Sequence, residues 1–154
     1  MAQNATSGRA LVGLALRILV IFDTVALLLV GVVHQFGAQI PLGFTTFTEQ
    51  PILYAGIVET ICGVIFAVAL FAMLTRQSWQ WGMTLAAHIV GALGYILGLY
   101  STRDGTTPFN YADHRVMLAL FAVGLILLIL PAGRAALASG AQTSGDAALP
   151  ATHL

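Results

Sequence analysis

Apolar residues gather in four long blocks, approximately 11–33, 52–74, 79–100 and 112–131, each interrupted only by isolated polar side chains. A helix of about 20 residues crosses a hydrocarbon core of about 30 Å, so every block is long enough to span a membrane. Between them lie QFGAQIPLGFTTFTEQP (35–51), expected to lie along the membrane surface, and the turn-rich STRDGTTPFN (101–110). Asn110, with Asp113 three positions on, predicts the N-cap of the fourth helix. Short connections force neighbouring helices to run antiparallel. The pattern therefore predicts an all-α, integral-membrane four-helix bundle, up-down-up-down, over residues 1–137. The small, polar, aperiodic segment 138–154 is expected to be a disordered cytoplasmic tail, and His153 within it carries no signal.

Composition agrees with a membrane chain: of 154 residues, 58% are hydrophobic and 8% charged, against the quarter charged in an ordinary soluble domain. Six arginines balance six carboxylates and there is no lysine, so no basic arm suggests nucleic acid. Cys62 is the single cysteine, which excludes an internal disulfide, a CxxC pair and a thiolate cluster. The first block follows Arg9, as the apolar stretch of a signal peptide follows its basic residues, but it is about twice a usual h-region and holds Asp23, so it is expected to be a retained helix. Arg9, Arg17, Arg76 and Arg134 fall on one side of the predicted membrane, Arg103 and Arg115 on the other. That bias predicts both termini in the cytoplasm, with Trp79 and Trp81 at the cytoplasmic interface and Tyr54, Tyr100 and Tyr111 at the opposite one.

Small residues recur at helix-packing intervals: Gly56, Thr60, Gly63 and Ala67 on the second helix, and Ala87, Gly91, Gly94 and Gly98 on the third. Since lipid is as apolar as leucine, close backbone approach drives association, and these stripes predict tight packing of the second helix on the third.

The residues that stand out chemically are ionisable ones inside the blocks: Asp23, Glu59 and His88. Counted from the cytoplasmic ends of their helices they lie about 18 Å, about 22 Å and about 13 Å deep, a band near the midplane in which Glu59 and His88 are more than one turn apart. Such residues are costly in lipid and turn inward to pair. Candidate donors to Glu59 are His88, Tyr95, Thr60 and Thr84. A second, exterior layer is expected from His34, Asp113, His114 and Arg115, and Asp23 and His34 share one face of the first helix. A path can be drawn from the exterior histidines through Glu59 to Asp23 and His88.

Four readings compete. The polar groups are structural hydrogen bonds; or they relay protons in a small-solute transporter working as an oligomer; or they frame a quinone site; or two histidines ligate haem or a metal, as in a haem-binding membrane anchor. The last has little support from spacing, because no histidine pair lies three or four apart and no Glu-x-x-His occurs.

The second helix, ILYAGIVETICGVIFAVALFAMLTRQSW, resembles that of DoxX-like small four-helix bacterial membrane proteins, with Glu59, Gly63, Thr75 and Arg76 at the matching positions. Arg17 and GVVH (31–34) extend the similarity, with His34 where the family tends to carry lysine. The resemblance implies a helical bundle in the bacterial cytoplasmic (inner) membrane, associated with redox or oxidative-stress systems and in some members with quinones. Together these readings predict an accessory, non-catalytic membrane component of a quinone-linked redox system, acting as a homo-oligomer or within a larger membrane complex.

Overall fold

The computed structural model describes residues 2–102 and 107–138. Predictions that fall on 103–106 and 139–154, including Arg103 and the cytoplasmic tail, lie outside them. The chain folds as an all-α bundle of four long helices: α1 (Ala2–Phe36), α2 (Leu53–Leu74), α3 (Gln80–Thr102) and α4 (Pro108–Ile129), followed by a short α5 (Pro131–Ala138). Four segments, Ser7–Phe36, Leu53–Leu74, Gln80–Ser101 and Pro108–Ile129, are long and apolar enough to cross a membrane. This is a multi-pass membrane protein.

Its surface supports that conclusion independently. Asp23, His34, Glu59, His88 and His114 are buried, while Leu11, Ile18, Phe22, Val25, Leu29, Val64 and Phe71 are exposed on the outside of the helices. A water-soluble bundle would carry the opposite arrangement. With no water to satisfy them, backbone groups are paired along the helices, and hydroxyls bond back to the preceding turn. Thr24 donates to the Val20 carbonyl at 2.6 Å, Thr60 to Gly56 at 2.7 Å and Thr84 to Gln80 at 2.7 Å.

The helix ends depart from the sequence reading in three places. The connection after α1 is a β-hairpin rather than a plain surface segment: β1 (Ala38–Pro41) pairs antiparallel with β2 (Thr46–Glu49), Ala38 opposite Glu49. Gly37 at φ +74° turns the chain out of α1, and Gly43 at φ +86° sits in the hairpin loop. Secondly, Thr107 rather than Asn110 caps α4; its side chain accepts from the Asn110 amide and Pro108 takes the first turn, where a missing N–H costs nothing. Thirdly, α4 stops at Ile129 because Leu130, preceding Pro131, is extended.

α5 then folds back at the end opposite the hairpin. Gln80 donates to the Leu137 carbonyl, Trp81 Nε1 donates to the Leu128 carbonyl at 3.1 Å, and the Arg134 guanidinium lies 4.6 Å from the centre of the Trp81 ring. One carbonyl freed at the end of α4, Leu128, and one at the end of α5, Leu137, thereby find donors.

The small stripe on α2 meets α1, not α3 as its spacing suggested. A Cβ on Gly56 would strike Gln35 and the Gly31 carbonyl, one on Gly63 would strike Leu28, and one on Gly31 would strike Thr60. The α3 glycines are divided among neighbours: Gly94 faces Cys62 and Val58 of α2, Gly91 faces the Phe66 and Phe121 rings, and Gly98 faces His114 of α4.

Candidate ligand-binding site

Polar side chains of the four long helices form two layers inside the bundle. Near the hairpin end, α1 supplies His34, α2 Glu59, α3 Tyr95, and α4 Asp113 and His114. Deeper in the bundle, α1 supplies Asp23 and α3 supplies His88. Glu59 therefore belongs to the hairpin-end layer, and the midplane band of three expected from helix depths is divided.

The donor to Glu59 is His34, not any of the candidates drawn from depth. His34 Nδ1 lies 2.7 Å from Glu59 Oε2, with both side chains almost wholly buried. The other carboxylate oxygen, Oε1, and His34 Nε2 have no hydrogen-bond partner. Two backbone features bring the pair together. The Ile52 amide donates to the His34 carbonyl at 2.6 Å, which ties the end of α1 to the start of α2. Side chains lean toward the N-terminus of their own helix, so on these antiparallel helices His34 leans into the bundle and Glu59 leans up to meet it. Beside them Gln35 donates to Thr60 Oγ1 at 2.7 Å and to the Gly56 carbonyl at 3.2 Å.

His114 is set by its own helix and by α3. Its Nδ1 is 2.8 Å from the Asn110 carbonyl, which it can reach only as a donor, so in the neutral ring Nε2 carries the lone pair. Gly98 gives the imidazole room, and the Tyr95 ring lies against it with centroids 4.6 Å apart. The Tyr95 hydroxyl is buried without a hydrogen-bond partner. Asp113 Oδ2 likewise makes no hydrogen bond and lies 4.0 Å from His114 Nδ1. Glu59, Asp113 and His114 each bring one potential ligand atom into a group whose members all lie within 4.8 Å of one another. Arg115, expected in this layer, instead points outward: it is exposed, donates to the Tyr111 hydroxyl at 2.6 Å and stacks over that ring.

In the deeper layer His88 Nδ1 donates to the Thr84 carbonyl at 2.8 Å and Nε2 faces Asp23 Oδ2 at 3.7 Å, both residues fully buried. This is an ionic separation and too long for a hydrogen bond. A Cβ on Gly124 would overlap the His88 ring, so glycine there is what admits the imidazole. Aromatic rings separate the layers. Phe66 lies 5.0 Å from His88 and 5.5 Å from Phe121, and Phe121 lies 5.5 Å from Tyr95. The interior surface drawn from the sequence is thus interrupted by an apolar partition.

A cavity of about 400 Å³ opens between α2 and α3 on the hairpin side of that partition. Its walls are apolar, built from Ile52, Ala55, Val58 and Leu97, with Gly94 and Gly98 leaving space on α3. Tyr54 and Leu97 at its rim are exposed on the outer surface of the bundle, where lipid would lie. Its inner end presents Glu59, Tyr95 and His114. An apolar recess with a few converging polar groups is the usual form of a small-molecule site. Asp23 and His88 do not line it.

Sequence reasoning missed the hairpin contribution. Glu49, buried at the end of β2, accepts from Thr107 Oγ1 at 2.8 Å and 3.1 Å, closing the hairpin over the polar layer. Thr107-Pro108 did carry a helix-start signature, a capping hydroxyl followed by proline. The chain matches no family model, no curated protein and no solved structure.

Proposed function

We propose that the protein is an accessory, non-catalytic component of a quinone-linked redox system in the bacterial cytoplasmic membrane, and that the α2–α3 cavity receives the quinone head group. The observation that carries this reading is the cavity itself: apolar walls, a mouth on the lipid-facing surface, and Glu59, Tyr95 and His114 at its inner end. A quinone carbonyl accepts hydrogen bonds, and the buried Tyr95 hydroxyl, near Asp113 but making no hydrogen bond of its own, can donate one. The isoprenoid tail would leave between Tyr54 and Leu97 into lipid. Glu59, held at one oxygen by His34, has its other oxygen free to accept a hydrogen bond from a reduced head group.

The redox setting rests on the resemblance of α2 to DoxX-like proteins, and the orientation, both termini cytoplasmic, on the arginine bias. The accessory role is part of the same proposal and implies a larger membrane complex. The aromatic partition between the polar layers favours this reading over a proton-coupled transporter.

Titration of a short-chain quinone into nanodisc-embedded protein tests the assignment. Saturable binding is expected, weakened at least about tenfold by Ala55→Phe, which fills the cavity, and by Tyr95→Phe, and unchanged by His88→Ala. A tenfold loss corresponds to about 1.4 kcal/mol. Equal affinity in wild type and Ala55→Phe would remove the cavity from consideration.

A further inference from the structure

The hairpin-end layer holds more charge than a ligand pocket needs. Two carboxylates, Glu59 and Asp113, approach one another in a buried setting together with His114, each offering an atom within a 4.8 Å envelope. Two carboxylates brought close in a low dielectric repel strongly unless a cation or a proton lies between them. We propose that Glu59, Asp113 and His114 form a binding site for one divalent first-row transition-metal ion, of the zinc class, at the inner end of the cavity.

Four observations support it independently of the quinone reading. Glu59 Oε1, on a residue only 2% exposed, has no partner, so the carboxylate has an unused oxygen on a side chain that belongs to the cluster. Asp113 Oδ2 makes no hydrogen bond and already lies 4.0 Å from His114 Nδ1, so these two ligand side chains are in place beside each other. His114 donates Nδ1–H to the Asn110 carbonyl, the outer hydrogen bond that metal-binding imidazoles commonly make, and its Nε2, beside Gly98, keeps the lone pair with which it would ligate. His34 bonds to Glu59 Oε2 and orients the carboxylate from behind.

The charge and size arithmetic is consistent with this assignment. With His34 donating to Glu59 as a neutral ring, two carboxylates and the neutral His114 imidazole cancel a double positive charge, so the occupied site is neutral, which suits a buried location. One nitrogen and two oxygens favour zinc, iron or manganese over calcium or magnesium, which take oxygen alone. Three ligand atoms about 2.1 Å from one tetrahedral ion lie about 3.4 Å apart, so the 4.8 Å envelope must close by about 1 Å as the side chains turn onto the ion. Three protein ligands leave a coordination position toward the cavity.

The probe is Zn²⁺, added to metal-stripped protein in nanodiscs after removal of any polyhistidine tag, and read by competition with a fluorescent chelator. One Zn²⁺ per chain is expected in the wild type. Asp113→Asn, near-isosteric and outside the cavity lining, is expected to weaken binding at least about tenfold, with a melting curve that verifies folding. Asp23→Asn, which removes the other buried carboxylate near a histidine, should leave Zn²⁺ affinity unchanged. Ala55→Phe should weaken quinone binding at least about tenfold while Zn²⁺ affinity is unchanged, so the two readings fail separately. Absence of a stoichiometric Zn²⁺ site in the wild type, or equal affinity in wild type and Asp113→Asn, would overturn the proposal. So would an equal loss in Asp23→Asn.

Discussion

His34 and Glu59 show why a buried carboxylate is tolerated at this position. Removing one member of a buried pair leaves the other uncompensated, a loss of about 3–5 kcal/mol. His34→Ala is accordingly expected to destabilise the protein by that amount, and the His34→Ala/Glu59→Gln double variant by less than the sum of the singles, with coupling above about 1 kcal/mol. Thermal or denaturant unfolding in detergent measures both; additive losses would contradict the pairing. Glycines set the other residue-scale limit. Gly98→Ala and Gly124→Ala would each press a methyl group into a histidine ring, at about 1–3 kcal/mol. Gly82→Ala, with nothing within 4 Å of the added carbon, should show no such loss. The importance of Glu59 was legible in the sequence, because an ionisable group in an apolar run stands out. Its partner was not, since depth along a helix says nothing of which way a side chain leans, and His34 and Glu59 lean toward each other across antiparallel helices.

Among the elements, the four long helices were legible because a span needs an unbroken apolar length. The hairpin and α5 were not: the strands Ala38–Pro41 and Thr46–Glu49 are four residues each, too short for alternation to register, and α5 exists only because Pro131 forces a break and the Trp81–Arg134 contact holds the returning turn. Small residues announced close packing without naming the neighbour, so the α2 stripe that meets α1 read equally well as facing α3. At this scale Thr107 joins two elements, accepting from the Asn110 amide and donating to Glu49. Thr107→Ala should cost about 1–2 kcal/mol in the cap and its partner bond. Hydrogen exchange should then quicken both at the first turn of α4 and along the hairpin. Faster exchange at α4 alone would mean that the hairpin is held by its other contact, Phe47 against Phe109, whose centroids are 4.7 Å apart.

At the scale of the whole molecule, the bundle reverses the polarity of a soluble protein, with charge inside and aliphatic side chains outside, and divides its polar interior in two. The Asp23–His88 layer lies beneath the Phe66–Phe121 partition and does not line the cavity, which suits a structural role. The His34–Glu59–His114 layer lies under the hairpin at the inner end of an opening to lipid. That division assigns different fates to residues the sequence grouped together, and it makes the location of a bound quinone the central issue. A photoreactive quinone, cross-linked in nanodiscs and mapped by mass spectrometry, measures it most directly. Labels competed by excess unmodified quinone are expected on α2 between Ile52 and Glu59 and on α3 between Gly94 and Ser101. Labelling concentrated on the opposite apolar groove at Leu29, Val33 and Phe109, or labelling that excess quinone does not reduce, would contradict the account.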